Sequence, residues 1–324
     1  MPRIFSGIQP SGELHIGNYL GAVKNWVALQ REFESFICIV NYHAITQPFV
    51  PSELVKRTHE MAVSLLAAGI DPSTATLFVQ SAVPEHTELA WAFNAITPLG
   101  ELERQTQFKD KASRQESVVA GILNYPVLQA ADILLYHADI VPVGEDQIQH
   151  LELSREIARR WNARFEEGYF PEPQPRLTPT RRILGLDGQA KMSKSLGNTV
   201  ALLESPAAIW DKLRPAVTDP ARVRKTDPGN PDVCNIYSLH KAFSPEATQQ
   251  EAASQCRSAG WGCIDCKKVL AASMEVELVP IRARAAELAA TPSLVTDALG
   301  DGAARARTVA RATMAEVRER RGLA

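Results

Sequence analysis

Within the seventeen residues from Phe5 to Gly21 (FSGIQPSGELHIGNYLG) the chain changes from strand-like to helix-like patterning, and this change constrains the rest of the fold. Phe5 and Ile8 flank a short apolar run, which Pro10-Ser11-Gly12 breaks. After His15-Ile16-Gly17-Asn18, Tyr19, Leu20, Val23, Trp26 and Val27 recur at helical spacing. Strand, turn and helix in this order make a nucleotide-binding unit. The unpaired N–H groups of a helix start attract phosphate, and the glycines at 7, 12, 17 and 21 let a bulky ligand approach the backbone. A triphosphate is the natural guest, with His15 and Asn18 as donors to its oxygens and neither as a nucleophile. A Gly-rich turn of an ordinary α/β domain reads the same way, so this stretch does not decide the function by itself.

A second stretch narrows the choice. Lys191-Met192-Ser193-Lys194-Ser195 sits in a segment bounded by Gly185 and Gly197. Two lysines flanking small hydroxyl residues on a loop suit the gripping of pyrophosphate as it departs.

Between the two stretches the pattern alternates. Residues 35–40 (SFICIV) form a continuous apolar run, as a strand buried on both faces should, and Asn41-Tyr42-His43-Ala44 follows at the end where ligands sit in open α/β sheets. A helix is expected over 51–68, a strand over 76–80 and a helix over 85–96. The polar stretch 100–114 carries Arg104, Lys109, Lys111 and Arg114, and reads as a solvated helix face or an anion site. Residues 118–136 are the most apolar region, with Pro126 expected to start a second helix. Asp132 shares a face there with Leu128 and Leu135. A carboxylate in such company needs donors, from a neighbouring backbone, an arginine, or a ligand N–H or O–H. A strand over 140–143 ends in Gly144-Glu145-Asp146-Gln147, residues fit to bind ribose hydroxyls and an ammonium group or to cap the next helix. Four prolines between 171 and 179 mark a linker, and Arg182-Ile183-Leu184 reads as a last strand.

Beyond Leu196 the pattern is helical over 206–213, 235–243, 245–258, 266–290 and 293–321. The last of these carries Arg305, Arg307, Arg311, Arg318, Arg320 and Arg321, a phosphate-contacting face or a solvated one. At 324 residues two domains are expected, a Rossmann-like doubly wound α/β domain over 1–184 and a mostly helical one over 201–324, joined by the lysine loop 185–200. The net charge of −2 means that any polyanion site must come from local clustering. Neither an apolar run of about 18 residues nor a secretory pattern is present, so a cytoplasmic location without a membrane span is expected.

Six segments in one order, GIQPSG, HIGNYLG, GELERQTQFKDK, YPVLQAADILLY, IVPVGEDQ and KMSKS, make the chain similar over its full length to bacterial tryptophanyl-tRNA synthetases, which are class I aminoacyl-tRNA synthetases. The resemblance implies activation of L-tryptophan with ATP and magnesium, transfer to tRNA(Trp), and a homodimer. It assigns Gln9, Pro10, Ser11, Gly17 and Asn18 to ATP, Gly144, Glu145 and Asp146 to the ribose, and Ile183 to adenine. Lys111, Lys191 and Lys194 would hold phosphates, with Met192, Ser193 and Ser195 completing that loop and His15 and Asn18 assisting at the helix start. Asp132 would accept the indole N–H, and Tyr125 and Gln147 would hold the amino-acid backbone groups. Phe5, Gly7, His43, Gln129, Val141 and Val143 would line the pocket. Many relatives have Met where this chain has Gln129. The sequence shows no candidate editing domain, which fits a large side chain with one polar N–H.

Of five cysteines, Cys38 sits alone in a strand and reads as core, while Cys234, Cys256, Cys263 and Cys266 follow C-x21-C-x6-C-x2-C. Four thiolates so spaced suit tetrahedral zinc or a [4Fe–4S] cluster, and spacing does not choose between them. A subset of the bacterial synthetases has nearly this spacing and binds [4Fe–4S] near the anticodon-binding region, which favours the cluster. Lys267, Lys268 and Arg257 beside it would meet anticodon phosphates. Alternatives are a tyrosyl-tRNA synthetase, a nucleotidyltransferase that never meets tRNA, and a nonenzymatic iron–sulfur carrier.

Overall fold

In the computed structural model, residues 1–106, 108, 118–144, 147–177, 183–193 and 196–324 are described. Five strands, β1 (Arg3–Ile8), β2 (Glu34–Ile39), β3 (Ala75–Val79), β4 (Ile140–Val143) and β5 (Gln174–Leu177), form one sheet in the order β3-β2-β1-β4-β5. Every pairing is parallel, with Phe5 opposite Phe36 and Ile37 opposite Leu77. The chain has the expected Rossmann-like fold with a helical C-terminal part. Among the described residues the helices before β5 are α1 (Ile16–Asn18), α2 (Lys24–Leu29), α3 (Asn41–Ala44), α4 (Pro51–Ala67), α5 (Glu85–Asn94), α6 (Leu99–Glu103), α7 (Ala120–Leu134) and α8 (Ile148–Arg164). After it come α9 (Pro206–Leu213), α10 (Asn235–Phe243), α11 (Glu246–Arg257), α12 (Cys263–Ala290) and α13 (Pro292–Arg321).

The period-2 alternation of β2 splits the core in two. Phe36 and Cys38 point to one side, with Phe5, Phe78, Val141 and the apolar residues of α7. Ile37 and Ile39 point to the other, where Leu65 of α4 meets Leu186, Met192 and the Leu270, Met274 and Leu278 stripe of α12. The lysine loop and the helical segment thus share apolar packing with the first strands. A polar tie supplements it, since the Tyr19 hydroxyl and Lys24 Nζ both reach Glu277 Oε1 of α12 at 2.6 Å.

Three expectations need correction. The fifth strand lies in the proline-rich stretch; of the strand expected over 182–184, Arg182 lies outside the described residues and Leu184 makes only an isolated bridge to Lys191. As an edge strand, β5 tolerates Pro175, whose missing N–H disturbs no second neighbour. Pro126 lies inside α7 and starts no new helix, leaving the carbonyl four residues earlier without its usual donor. The arginines of α13 do not present one free row, because α13 lies along β3 and α5 and their guanidiniums meet protein acceptors, although Arg305 and Arg311 remain exposed. Arg305 donates to the carbonyls of Pro72 and Ala75, Arg307 to Ala82 and Arg321 to Ala92. Arg318 grips Glu88 with two bonds of 2.7 and 2.6 Å, Arg311 stands 3.5 Å from Glu85, and Arg320 pairs with Glu166. A Cβ at Gly302 would stand 1.8 Å from the Leu77 carbonyl oxygen, so only glycine lets the helix approach the strand this closely.

Candidate functional site

Both diagnostic turns lie above the C-terminal ends of the strands, and the backbone joins them. Ile16 N–H donates to the Val200 carbonyl at 2.9 Å and Leu202 N–H to Leu14 at 2.7 Å, so the chain leaving the lysine loop pairs with the chain entering α1. Met192 packs over Gly17, where an added Cβ would stand 3.2 Å from Met192 Cβ and 3.0 Å from His15 Nδ1. His15 is the N-cap, its Nδ1 accepting from Asn18 N–H at 3.2 Å, a role the sequence did not assign it. A π-helical turn over Tyr19–Val23 follows. In front of the cap, Ser11 N–H donates to Gln9 O at 2.8 Å, closing a tight turn around the buried Pro10. Inside the lysine loop, Asn198 accepts from Ser193 N–H at 2.8 Å, and Lys191 is exposed. Ile183 packs on the same apolar cluster as Met192. Lys111, Glu145, Asp146, Lys194 and Ser195 lie outside the described residues.

Below this junction is a buried polar cluster centred on Asp132, which is 1% exposed. Three elements that follow β2 and β3 supply its donors. His43 Nε2 of α3 lies 2.8 Å from Oδ2, and Gln80 Nε2 and His86 Nδ1 each lie 2.7 Å from Oδ1. Burial opposes ionisation of this carboxyl, but the hydrogen bonds and charges of His43 and His86 prevail and bring it down to about 2. His86 Nε2 in turn meets the Tyr136 hydroxyl at 2.8 Å. Burial pushes that phenol far above its ordinary range, so it keeps its proton, and the ionised Asp132, which can only accept, draws an imidazole hydrogen to Nδ1. Tyr136 stacks on Phe36 and Phe5 at 4.5 and 5.7 Å between centroids. Phe5, Val141 and Val143 are buried in one apolar cluster beside the carboxylate's donors, and Cys38 is fully buried, as expected of a core thiol.

A second string runs from Tyr125, whose hydroxyl lies 3.0 Å from His150 Nε2, through His150 Nδ1 to Gln147 Oε1 at 3.2 Å. Gln129 Nε2 reaches the same Gln147 oxygen at a long 3.5 Å. The strings meet where His43 and Tyr125 pack edge to face, 6.3 Å apart. Gly7 is held close to Val40, whose Cγ1 would lie 3.0 Å from an added Cβ. Gly144 follows β4, exposed at the mouth. Sequence reasoning missed Gln80, His86, Tyr136 and His150. The spacing of Asp132 and Tyr136, four residues apart, was the one available signal, whereas the others come from distant segments.

Far from these strings, Cys234, Cys256, Cys263 and Cys266 line one small cavity with Arg222, Trp261 and Ile236. Arg222 Nη1 stands 4.0 Å from Cys256 Sγ and His240 Nε2 3.4 Å from Cys266 Sγ. A Cβ at Gly229 would press on Cys256 Sγ at 2.7 Å. Burial, and then the neighbouring cysteines, push the Cys266 thiol up to about 12. Among the described residues no group of three or more His, Cys, Asp or Glu side chains is disposed to hold a metal ion.

Among the described residues no helix is long and apolar enough to cross a membrane. The family of class I tRNA synthetases (W and Y) matches residues 1–278. The tryptophan–tRNA ligase of Deinococcus radiodurans is 55% identical over 99% of this chain and 99% of its own length. That of Thermosynechococcus vestitus is 47% identical over 97% and 98%. The crystal structure of tryptophanyl-tRNA synthetase from Campylobacter jejuni, complexed with ADP and tryptophan, superposes with a TM-score of 0.90 at 38% identity, covering 99% of this chain and all of that one.

Proposed function

The chain belongs to the class I tRNA synthetases (W and Y), and from that premise we propose that it is a ligase which activates L-tryptophan with ATP and transfers it to the 3′ end of tRNA(Trp), releasing AMP and pyrophosphate. The observation that carries this reading at the site is the junction of the two turns, Met192 over Gly17, above an acceptor-only Asp132.

Gln9, Pro10, Ser11, Gly17 and Asn18 bind ATP at the helix start, Gly144, Glu145 and Asp146 hold its ribose, and Ile183 lies against adenine. Lys111, Lys191 and Lys194 supply positive charge to the phosphates, with Met192, Ser193 and Ser195 completing the loop; magnesium rides on the nucleotide. The indole N–H donates to Asp132, while Phe5, Gly7, His43, Gln129, Val141 and Val143 line the pocket around the ring. Tyr125 and Gln147 hold the ammonium and carboxylate. The tryptophan carboxylate attacks the α-phosphorus in line, pyrophosphate leaves, and the terminal ribose 2′-hydroxyl of the tRNA then attacks the adenylate carbonyl. Neither step draws on a side-chain nucleophile; alignment and charge stabilisation suffice.

The remaining assignments belong to the same proposal. Residues 1–184 form the catalytic unit, 185–200 its loop and 201–324 the anticodon-binding part. The four cysteines hold a [4Fe–4S] cluster, with zinc as the alternative occupant, and the enzyme is a cytoplasmic homodimer. Pyrophosphate–ATP exchange with tryptophan and with tyrosine tests the central claim. Exchange with tryptophan alone supports it, and exchange with tyrosine alone would overturn it. Iron, sulfide and zinc analysis of anaerobically purified protein tests the cluster, and light scattering tests the dimer.

A further inference from the structure

We infer that Asn235 and Lys267 are positioning residues that couple the four-thiol cavity to the base of the lysine loop, so that the contents of the cavity and the placement of Lys191 are set together. The inference rests on the proposed roles of that cavity and that loop.

Each residue directly follows a cavity cysteine, and each is buried, 7% and 4% exposed respectively. Asn235 comes after Cys234, and its Nδ2 donates to the Gly185 carbonyl at 2.7 Å, where the loop begins. A Cβ added at Gly188, which has φ +67°, would lie 3.6 Å from Asn235 Cβ and 3.7 Å from Val217 Cγ1, so the turn that follows Gly185 passes beside the same residue. Lys267, expected to meet anticodon phosphates, is instead turned inward after Cys266, and its Nζ donates to the carbonyls of Arg214 and Ala216 at 2.7 and 2.6 Å. The next residue, Val217, donates its N–H to the Leu186 carbonyl at 2.9 Å. Two separate polar routes, one from each end of the cysteine set, therefore converge on Gly185–Gly188.

From there the described residues of the loop are tied to one another. Leu186 N–H bonds to the Asn198 carbonyl, Asn198 binds both Ser193 N–H and Asp187, and Met192 rests on Gly17 beside the His15 cap. A carbonyl–ammonium or carbonyl–amide contact buried from water tolerates little displacement, since an unpaired partner there is costly. Spreading the thiols around a guest shifts Asn235 and Lys267 with their neighbouring cysteines, and the loop base follows. By reciprocity, a ligand that fixes the loop alters the cavity.

Hydrogen exchange on the purified full-length chain, with and without an ATP analogue, tests the coupling. In the native chain the analogue should slow exchange both in peptides over 185–193 and in peptides over 256–268. Asn235→Asp, which keeps size but loses the donor, and Lys267→Met should each retain the slowing at 185–193 and lose at least half of it at 256–268. In pyrophosphate exchange the same variants should raise the KM for ATP about tenfold and leave the KM for tryptophan unchanged, a split that general loss of folding would not produce. Slowing at 185–193 with no response at 256–268 in the native chain would overturn the inference and leave the ATP site standing. Slowing at neither place would overturn both. A response at 256–268 that persists undiminished in both variants would remove these two residues from the coupling. If one variant does not fold, the other, acting through the second route, decides.

Discussion

His86 Nδ1 lies 2.7 Å from Asp132 Oδ1 beneath the site, and the Tyr136 hydroxyl holds the far side of the same ring. Asp132 thereby has one oxygen, Oδ1, shared by Gln80 and His86 and the other, Oδ2, held by His43. A ligand meets an acceptor whose charge and orientation are both determined.

Asp132→Asn should lower kcat/KM for tryptophan by about 10- to 100-fold, the range expected when a hydrogen bond to a charged partner is lost. An analogue whose ring lacks the N–H should be nearly indifferent to the change. Exchange kinetics with both substrates give the comparison, and an equal loss for both would mean that the carboxylate serves packing only.

Acid stability carries the mark of the same residue. The Asp132 carboxyl titrates near 2 in the folded chain against an ordinary 3.8, so the folded state favours ionisation and the unfolded state binds its proton first. The stabilisation is complete above about pH 4 and disappears as the pH falls toward 2, amounting to about 2 kcal/mol. Urea unfolding of native and Asp132→Asn chains from pH 6 to 2 should show a gap that narrows only in that window.

Gly17→Ala would place a methyl group 3.0 Å from the His15 ring and 3.2 Å from Met192 Cβ. The cap and the loop must separate to admit it. The KM for ATP should rise several-fold in exchange assays, while tryptophan binding, followed by calorimetry, should remain near native.

Gly302→Ala should be among the most damaging single changes in the chain, because its methyl group would meet a strand carbonyl and not a movable side chain. A loss of about 3 kcal/mol or more is expected in chemical denaturation. The tolerant control is Gly300→Ala on the same helix, where nothing lies within 4 Å of the added carbon.

Arg318→Met and Arg311→Met should leave the salt dependence of tRNA binding unchanged, since both guanidiniums face Glu88 and Glu85. A shallower slope of log K against log salt would restore the phosphate-contacting role.

Local periodicity made much of this molecule legible. The switch at His15, the apolar run of β2 and the helix over 235–243 appear in the structure where the residues placed them, because each depends on near neighbours. The edge strand at Gln174–Leu177 was hidden, since a strand paired on one side can carry Pro175 and needs no apolar signal. Donors to Asp132 were hidden for another reason: His43, Gln80 and His86 come from three segments brought together only by the sheet. Charge counting misled for α13, because a row of arginines does not reveal whether carbonyls, carboxylates or phosphates will meet it.

Because α13 closes the outer edge of β3, the order of synthesis matters. Leu77 leaves the ribosome 225 residues before Gly302, a wait on the order of 10–45 s at bacterial elongation rates. Throughout that interval the outer rim of the sheet has open carbonyls at Ala75 and Leu77 and no arginine to cover them. Such a rim invites pairing with another nascent chain. The last helix to emerge therefore ends the period in which this protein can be mistaken for a template.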